Sequence, residues 1–419
     1  MRILVVTNLY PPDVIGGYEL ACQEMVAELR LRNHEVRVLT SCTRASSCAE
    51  SGVARRLRFV FRHSGWPVRG NTGSAEVLHD LDAQIGDGTG WAHVAHEIMV
   101  FRPDVVYLWN LSGVGGLGIV LALAELQVPV VWQLMDNVPG QMAIADGRLS
   151  SALLRIISER LRGLFVLCSQ GLWNEIEESG FEIGEKGRLI PNWVEERSLV
   201  AERQWFAPGA GPLRLVSAGQ LAPHKGFDHI VEGMRLLKMA GYREITADIY
   251  GAGMEEHYRR LILSAHLSSS IRLMGAVEKR MLVGRYREYD MFLFPTWSRE
   301  PFGFAPLEAA ASGCVPAVST RCGCGEWMVS GVDCLKMEPS AEGVAKVVES
   351  ALRGAVDLRE VGLRARRSIR ELFSLKRIAD RIEQVLEECA GSFDVTEVGC
   401  ERAQRVGRAL YYVIGNALM

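Results

Sequence analysis

Short apolar runs alternate with amphipathic stretches along most of the chain. Arg2–Asn8 carries Ile-Leu-Val-Val and predicts a strand buried on both faces. Tyr18, Cys22, Met25 and Leu29 then recur at helical spacing, and Glu35–Thr40 predicts a second strand. Residues 75–100 read as helical, while residues 103–110, 128–136 and 164–169 read as further strands. Arg55–Arg62 alternates apolar and basic positions, which predicts an edge strand or a hairpin. After Ala207-Pro-Gly-Ala-Gly-Pro212, dense in turn formers, the alternation restarts. Leu213–Leu221, Ile245–Tyr250, Ile271–Met274 and Met291–Phe294 predict strands. Phe227, Ile230, Met234 and Leu237 form one stripe of a helix.

Repeated strand–helix units predict parallel sheets covered by helices. The expected fold class is therefore α/β, with two Rossmann-like parallel-sheet domains facing each other across a cleft. The expected boundaries are residues 1–206, 207–390 and a tail, 391–419. A helix over residues 372–389 is expected to end the second domain.

Composition narrows the function. With 419 residues, each domain is long enough for its own core. Hydrophobic residues at 48% and charged residues at 23% fit a soluble globular protein. A net charge of -3 argues against nucleic acid as a main partner. Ten cysteines without a secreted-type framework read as reduced thiols, so the expected compartment is the cytoplasm. The Cys322-Gly-Cys324 spacing does not suit a zinc site. Asp80-Leu-Asp82 lies mid-helix, on two faces, and is discounted as a metal motif; no metal ligands are expected. The first apolar run is too short for a signal peptide, and no run reaches membrane-spanning length.

Residues 291–326 concentrate the candidate chemistry. Met291–Trp297 predicts a buried strand, and a loop carrying Glu300 and Gly303 follows. A helix is expected from near Pro306, with Glu308 in its first turn and Gly313 closing it. Such a loop-to-helix junction presents unpaired backbone N–H groups at the positive end of a helix dipole, where anions bind. Two carboxylates eight residues apart, Glu300 and Glu308, would flank that anion. One can grip diol hydroxyls, and the other can face a second polar group. Taken alone, the pair also fits two solvated carboxylates. Near the N-terminus, Gly16 and Gly17 lie between a strand and a helix and permit close approach of backbone to a ligand; a plain helix-start loop is the alternative.

Glu300-Pro-Phe-Gly-Phe-Ala-Pro-Leu-Glu308 resembles the E-x7-E element of the retaining glycosyltransferases of family four, which have the GT-B fold and belong to the glycosyl transferases group 1. Ser217–Gly226 resembles the family's Gly-Arg-Leu…Lys-Gly loop, and Gly251-Ala-Gly253 its Gly-x-Gly. Leu189–Val194 is similar to Pro-Asn-Gly-Val, with Trp193 in place of the glycine. The resemblance covers about residues 1–390. It implies transfer of a sugar from a nucleotide diphosphate sugar to an acceptor hydroxyl, with retention and without a metal.

The resemblance implies that Glu308 holds the donor ribose and Glu300 lies beside the donor sugar. Backbone at Gly303, Phe304 and Ala305 would touch the diphosphate, and Lys225 would neutralise it. Gln220 replaces the family's arginine and adds hydrogen bonds without charge. Gly251 and the Gly16-Gly17 loop complete the donor contacts. On the acceptor side the family often has histidines; here Tyr107, Trp109 and Met135 stand at the matching places, with Asp136, Asn110 and Asn137 as the polar residues. Asp136 is the acceptor-side candidate, with a helix or loop cap as its plainer role. Glu326 either serves the ligand or caps the next helix. No cofactor beyond the donor substrate is implied, and the acceptor is a saccharide, a lipid or a small molecule.

Three alternatives stay open at this point. One is a nucleotide-sugar-binding scaffold without transfer activity, and another is an epimerase of GT-B type. A Rossmann oxidoreductase is disfavoured, because no Gly-x-Gly-x-x-Gly follows the first strand. The tail carries Arg402, Arg405 and Arg408 before Leu410-Tyr-Tyr-Val-Ile414. It reads as a helix packed back on the first domain, with peripheral membrane contact as the competing role.

Overall fold

A computed structural model describes residues 1–41, 50–59, 88–142, 147–194, 211–297 and 300–391. The chain divides into two compact units. The first holds residues 1–167, 172–190 and the chain from Ala379; the second holds residues 168–171 and 191–378. The expected 206/207 boundary, Asp80–Asp82 and the tail beyond Gly391 fall outside the described residues.

Seven parallel strands form the first sheet: β1 (Arg2–Val6), β2 (Glu35–Ser41), β3 (Val53–Leu57), β4 (Val105–Leu108), β5 (Val130–Leu134), β6 (Gly163–Leu167) and β7 (Gly187–Leu189). Their order is β3-β2-β1-β4-β5-β6-β7. β1, β4 and β5 are apolar almost throughout, as strands covered on both faces must be. The order reverses between β1 and β4. There the Asn8 N–H donates to the Asn110 carbonyl at 2.6 Å.

β3 is an edge strand, as expected, but it runs parallel to β2 and is no hairpin arm. Arg55 on it is not a solvated edge residue. Its side chain is 9% exposed, and its guanidinium donates to the carbonyls of Tyr10 (2.9 Å) and Pro11. It thereby holds the loop that follows β1.

The second sheet has six parallel strands: β8 (Leu213–Ala218), β9 (Ile245–Tyr250), β10 (Ile271–Gly275), β11 (Met291–Phe294), β12 (Val315–Ser319) and β13 (Leu335–Met337), in the order β10-β9-β8-β11-β12-β13. Leu215, Ile230, Met234, Ile249, Leu293 and Val344 are among the residues that fill its core. The expected stripe of Phe227, Ile230, Met234 and Leu237 is the buried face of the helix Phe227–Met239. This sheet reverses between β8 and β11, where Ser217 Oγ donates to the Leu293 carbonyl at 2.7 Å. Ligands of open parallel sheets bind beyond the strand ends at such a reversal.

The helix expected to end the second domain spans Leu375–Gly391, and from Ala379 it groups with the first unit. Ile382, Leu386 and Cys389 are buried on this helix, and ion pairs accompany that burial. Arg32 reaches Asp380 (2.6 Å) and Glu383 (2.8 Å), His34 reaches Glu383 (2.7 Å), and Arg188 reaches Glu388 (2.5 Å). Helical periodicity names an apolar face but not the sheet that receives it. Among the described residues, no helix is long and apolar enough to cross a membrane.

Candidate functional site

The loops leaving β8 and β9 run side by side. The Leu221 N–H donates to Ala252 O at 2.8 Å, and Met254 N–H returns to Leu221 O at 2.9 Å. Gly251 has φ +146, and a Cβ there would lie 1.8 Å from the Gly219 carbonyl oxygen. Glycine at 251 is therefore explained by close backbone packing. Gln220, on the loop leaving β8, is exposed.

Lys225 ends a short 3-10 turn, Pro223–Lys225, beyond β8. Trp297 straps this turn to the end of β11: its N–H donates to His224 O (3.2 Å) and its indole N–H to Pro223 O (2.5 Å). Lys225 Nζ lies 5.8 Å from the centre of the Phe294 ring and 2.5 Å from Glu300 Oε2. The two sequence-expected residues are thus brought together as an ion pair, with 21% and 14% of their side chains exposed. His224 beside them is half-buried. Burial, reinforced by the Lys225 charge and opposed by Glu300, holds its imidazole pKa below the usual value.

A second strap fixes the Glu300 loop. Gly323 N–H donates to Glu300 O at 2.9 Å, and Cys324 N–H to Phe302 O at 2.7 Å. Cys322 Sγ donates to Phe302 O at 3.1 Å and lies 3.4 Å from Cys324 Sγ. Among the described residues no group of three or more His, Cys, Asp or Glu side chains could hold a metal ion. Glu326 caps a helix start, but not the next one: its carboxylate accepts from the N–H groups of Gln170 (2.6 Å) and Gly171 (2.9 Å), a segment that groups with this unit.

The helix beyond this loop, Phe304–Ala311, begins two residues before Pro306. Gly303 is its N-cap at φ +88, a backbone conformation that favours glycine. Pro306 fits the third position because N–H groups in a first turn have no partner within the helix. Glu308 consequently sits in the second turn, not the first. It is 8% exposed, and its Oε1 lies 3.0 Å from Lys279 Nζ.

In the first unit, Gly16 is the N-cap of the helix Gly17–Leu31, and both glycines are exposed. The Gly16 N–H donates to Glu19 Oε2 at 2.8 Å, and Ile15 N–H to the same oxygen at 3.3 Å. Burial raises the Glu19 pKa against these hydrogen bonds. A buried carboxylate thus takes the Gly16 amide.

Asp136 follows β5 and is half-buried; its Oδ1 accepts from Asn137 N–H at 2.7 Å. Asn137 Oδ1 in turn accepts from Gly140 N–H at 2.9 Å, within the short helix Val138–Met142. Tyr107 and Trp109 are fully buried, and Met135 is nearly so. Tyr107 hydroxyl donates to Gln133 Oε1 at 2.8 Å. These side chains belong to the core under the strand ends.

Comparison with known proteins places both halves. Residues 202–368 match the family model for glycosyl transferases group 1, and residues 16–193 match a glycosyl transferase 4-like domain. The chain belongs to the group 1 glycosyltransferases. Its fold is of the GT-B type, two Rossmann-like parallel-sheet α/β domains. A glycogen synthase of Mycobacterium tuberculosis is 27% identical over 405 residues, covering 92% of this chain and 94% of the relative. A Rickettsia africae glycosyltransferase structure has a TM-score of 0.70 at 16% identity, covering 93% of this chain and 98% of the other. HepE of Anabaena, crystallised with UDP, has a TM-score of 0.65 at 16% identity, covering 93% and 100%.

Sequence reasoning about this glycosyltransferase missed Lys279, Trp297 and Glu19. Lys279 opens the helix Lys279–Arg285 after β10, and the charged Glu278-Lys279-Arg280 start was the only signal for it. Trp297 could have been suspected as an aromatic residue beside the proline turn.

Proposed function

We propose that this glycosyltransferase moves a sugar from a nucleotide diphosphate sugar to an acceptor hydroxyl, with retention at the anomeric carbon and without a metal. The Lys225–Glu300 pair carries the reading, because it lies beyond β8 and β11, where the second sheet reverses. The Phe304–Ala311 helix starts immediately after the Glu300 loop, so its positive end adds to the Lys225 charge. HepE, solved with UDP-glucose, supports the donor class.

The barrier lies mainly in the charge that leaves with the diphosphate. In the reading proposed here, Lys225 and the amides of Gly303, Phe304 and Ala305 stabilise it. Gln220 adds hydrogen bonds, and Gly251 lets the loop after β9 lie flat beside it. When a phosphate engages Lys225, Glu300 is released to orient a donor-sugar hydroxyl. Glu308 accepts from the ribose hydroxyls. A phosphate oxygen takes the acceptor proton in a front-face attack, so no histidine is required at Tyr107, Trp109 or Met135. Gly17 and Asp136 stand on the acceptor-side unit.

A thermal-shift panel of UDP-, GDP- and ADP-sugars tests the donor class. One nucleotide sugar should raise the melting temperature in a concentration-dependent way, since a ligand of the folded state stabilises by mass action. No shift with any of them would remove the donor assignment.

A further inference from the structure

Glu308 is nearly buried, yet it is not left to a ligand alone. Lys279 Nζ lies 3.0 Å from its Oε1. Twenty-nine residues separate the two, so the contact depends on where the helix Lys279–Arg285 docks. The far end of that helix is fixed. Arg285 donates to the Tyr250 hydroxyl at 3.3 Å, and its guanidinium carbon lies 6.0 Å from the Tyr250 ring centre. The Tyr250 hydroxyl lies 2.9 Å from that of Tyr289, which donates to buried Asp248 at 2.7 Å. Tyr250 is also the last residue of β9, immediately before Gly251.

A further polar group stands near Glu308. The Tyr286 side chain is fully buried, and its hydroxyl has no hydrogen-bond partner. Burial raises its pKa, and the Glu308 charge adds to that rise. A nearly buried carboxylate keeps one orientation best when a cation fixes one of its oxygens. Lys279 supplies that cation and pins one of the two carboxylate oxygens.

We propose that Lys279 is a positioning residue for the donor nucleoside, holding Glu308 oriented to accept from the ribose hydroxyls. The proposal rests on the ribose role given to Glu308 above. A lysine that served only the fold would affect every nucleotide alike. One that acts through Glu308 affects only ligands with ribose hydroxyls.

The test is calorimetric titration of UDP, GDP and ADP, followed by the 2′,3′-dideoxy form of whichever binds tightest. Wild type, Lys279→Met, Lys279→Arg, Glu308→Gln and the Met/Gln double variant are compared. Lys279→Met should weaken ribonucleotide binding about 10-fold, the size of one charged hydrogen bond, and leave dideoxy affinity unchanged. Added to Glu308→Gln it should cost nothing further, and Lys279→Arg should restore most of the affinity. Equal losses for both nucleotides, or full additivity with Glu308→Gln, would overturn the proposal while leaving Glu308 in place. A Glu308→Gln variant that still prefers the ribonucleotide as strongly as wild type would remove the ribose assignment itself, and the role of Lys279 with it.

Discussion

Lys225 Nζ sits 2.5 Å from Glu300 Oε2, across 75 residues of sequence. Two strands that neighbour each other in the sheet, β8 and β11, deliver them to one point. Without a ligand, each charge compensates the other in a partly buried place. A diphosphate would take the ammonium over, and the carboxylate would turn to the sugar.

Lys225→Ala should therefore lower turnover by roughly 100-fold or more, the usual size for a lost leaving-group stabiliser. Its melting temperature should stay close to wild type. Glu300→Gln added to it should recover part of the donor affinity, because it removes the carboxylate left unpaired beside a phosphate. Kinetics and calorimetry on the single and double variants check this. Normal turnover in Lys225→Ala would make the lysine a surface charge.

Gly303→Ala should destabilise the second unit by about 1–3 kcal/mol, as expected for a strained left-handed position. Its φ is +88, and an added Cβ would meet Cys322 Sγ and Phe294 at 3.0 Å. The same change shifts the N-terminus of the Phe304–Ala311 helix, so donor affinity should fall with stability. Chemical denaturation and donor titration measure the two effects; a variant as stable as wild type would contradict the strain argument.

Glu383 gives the Leu375–Gly391 helix a pH-dependent hold on the first unit. Burial opposes its charge, but Arg32 and His34 outweigh burial and hold its pKa below the usual carboxylate value. A depressed folded pKa contributes stability above the unfolded value, and that stability is lost as pH falls through the folded pKa. Glu383→Gln should cost about 1 kcal/mol or less at neutral pH, after solvent screening, and nothing in strong acid. Denaturation curves at several pH values test the sign.

Asp136→Asn should reduce turnover without changing donor affinity if the carboxylate faces the acceptor. Its Oδ1 already accepts the Asn137 N–H, and asparagine can keep that bond. Steady-state kinetics with the donor concentration varied separates the two roles. Turnover equal to wild type would reduce Asp136 to closing the turn.

Much of this architecture was legible in the sequence, because apolar strands covered on both faces and striped helices leave distinct patterns. The 1–41 and 213–294 alternations gave strands at the places observed. The Glu300 loop and the Lys225 turn were legible through their motifs, although their ion pair was not: it depends on strand order, which periodicity does not encode. The start of the Glu308 helix was misplaced because Pro306 reads as a first residue, whereas Gly303 sets the cap. Lys279 left only a charged helix start as a signal, because its contact with Glu308 depends on how the elements pack. The acceptor side was least legible. Tyr107 and Trp109 look like strand-end residues in sequence, yet burial makes them core.

Retaining, metal-free transfer is tested most directly by proton NMR of the donor that gives the thermal shift, with water as the surrogate acceptor and a chelator present. Free sugar should appear first in the anomeric configuration of the donor, before mutarotation, together with the nucleoside diphosphate. An inverted first anomer, loss of the reaction on chelation, or release with Lys225→Ala as fast as wild type would contradict it.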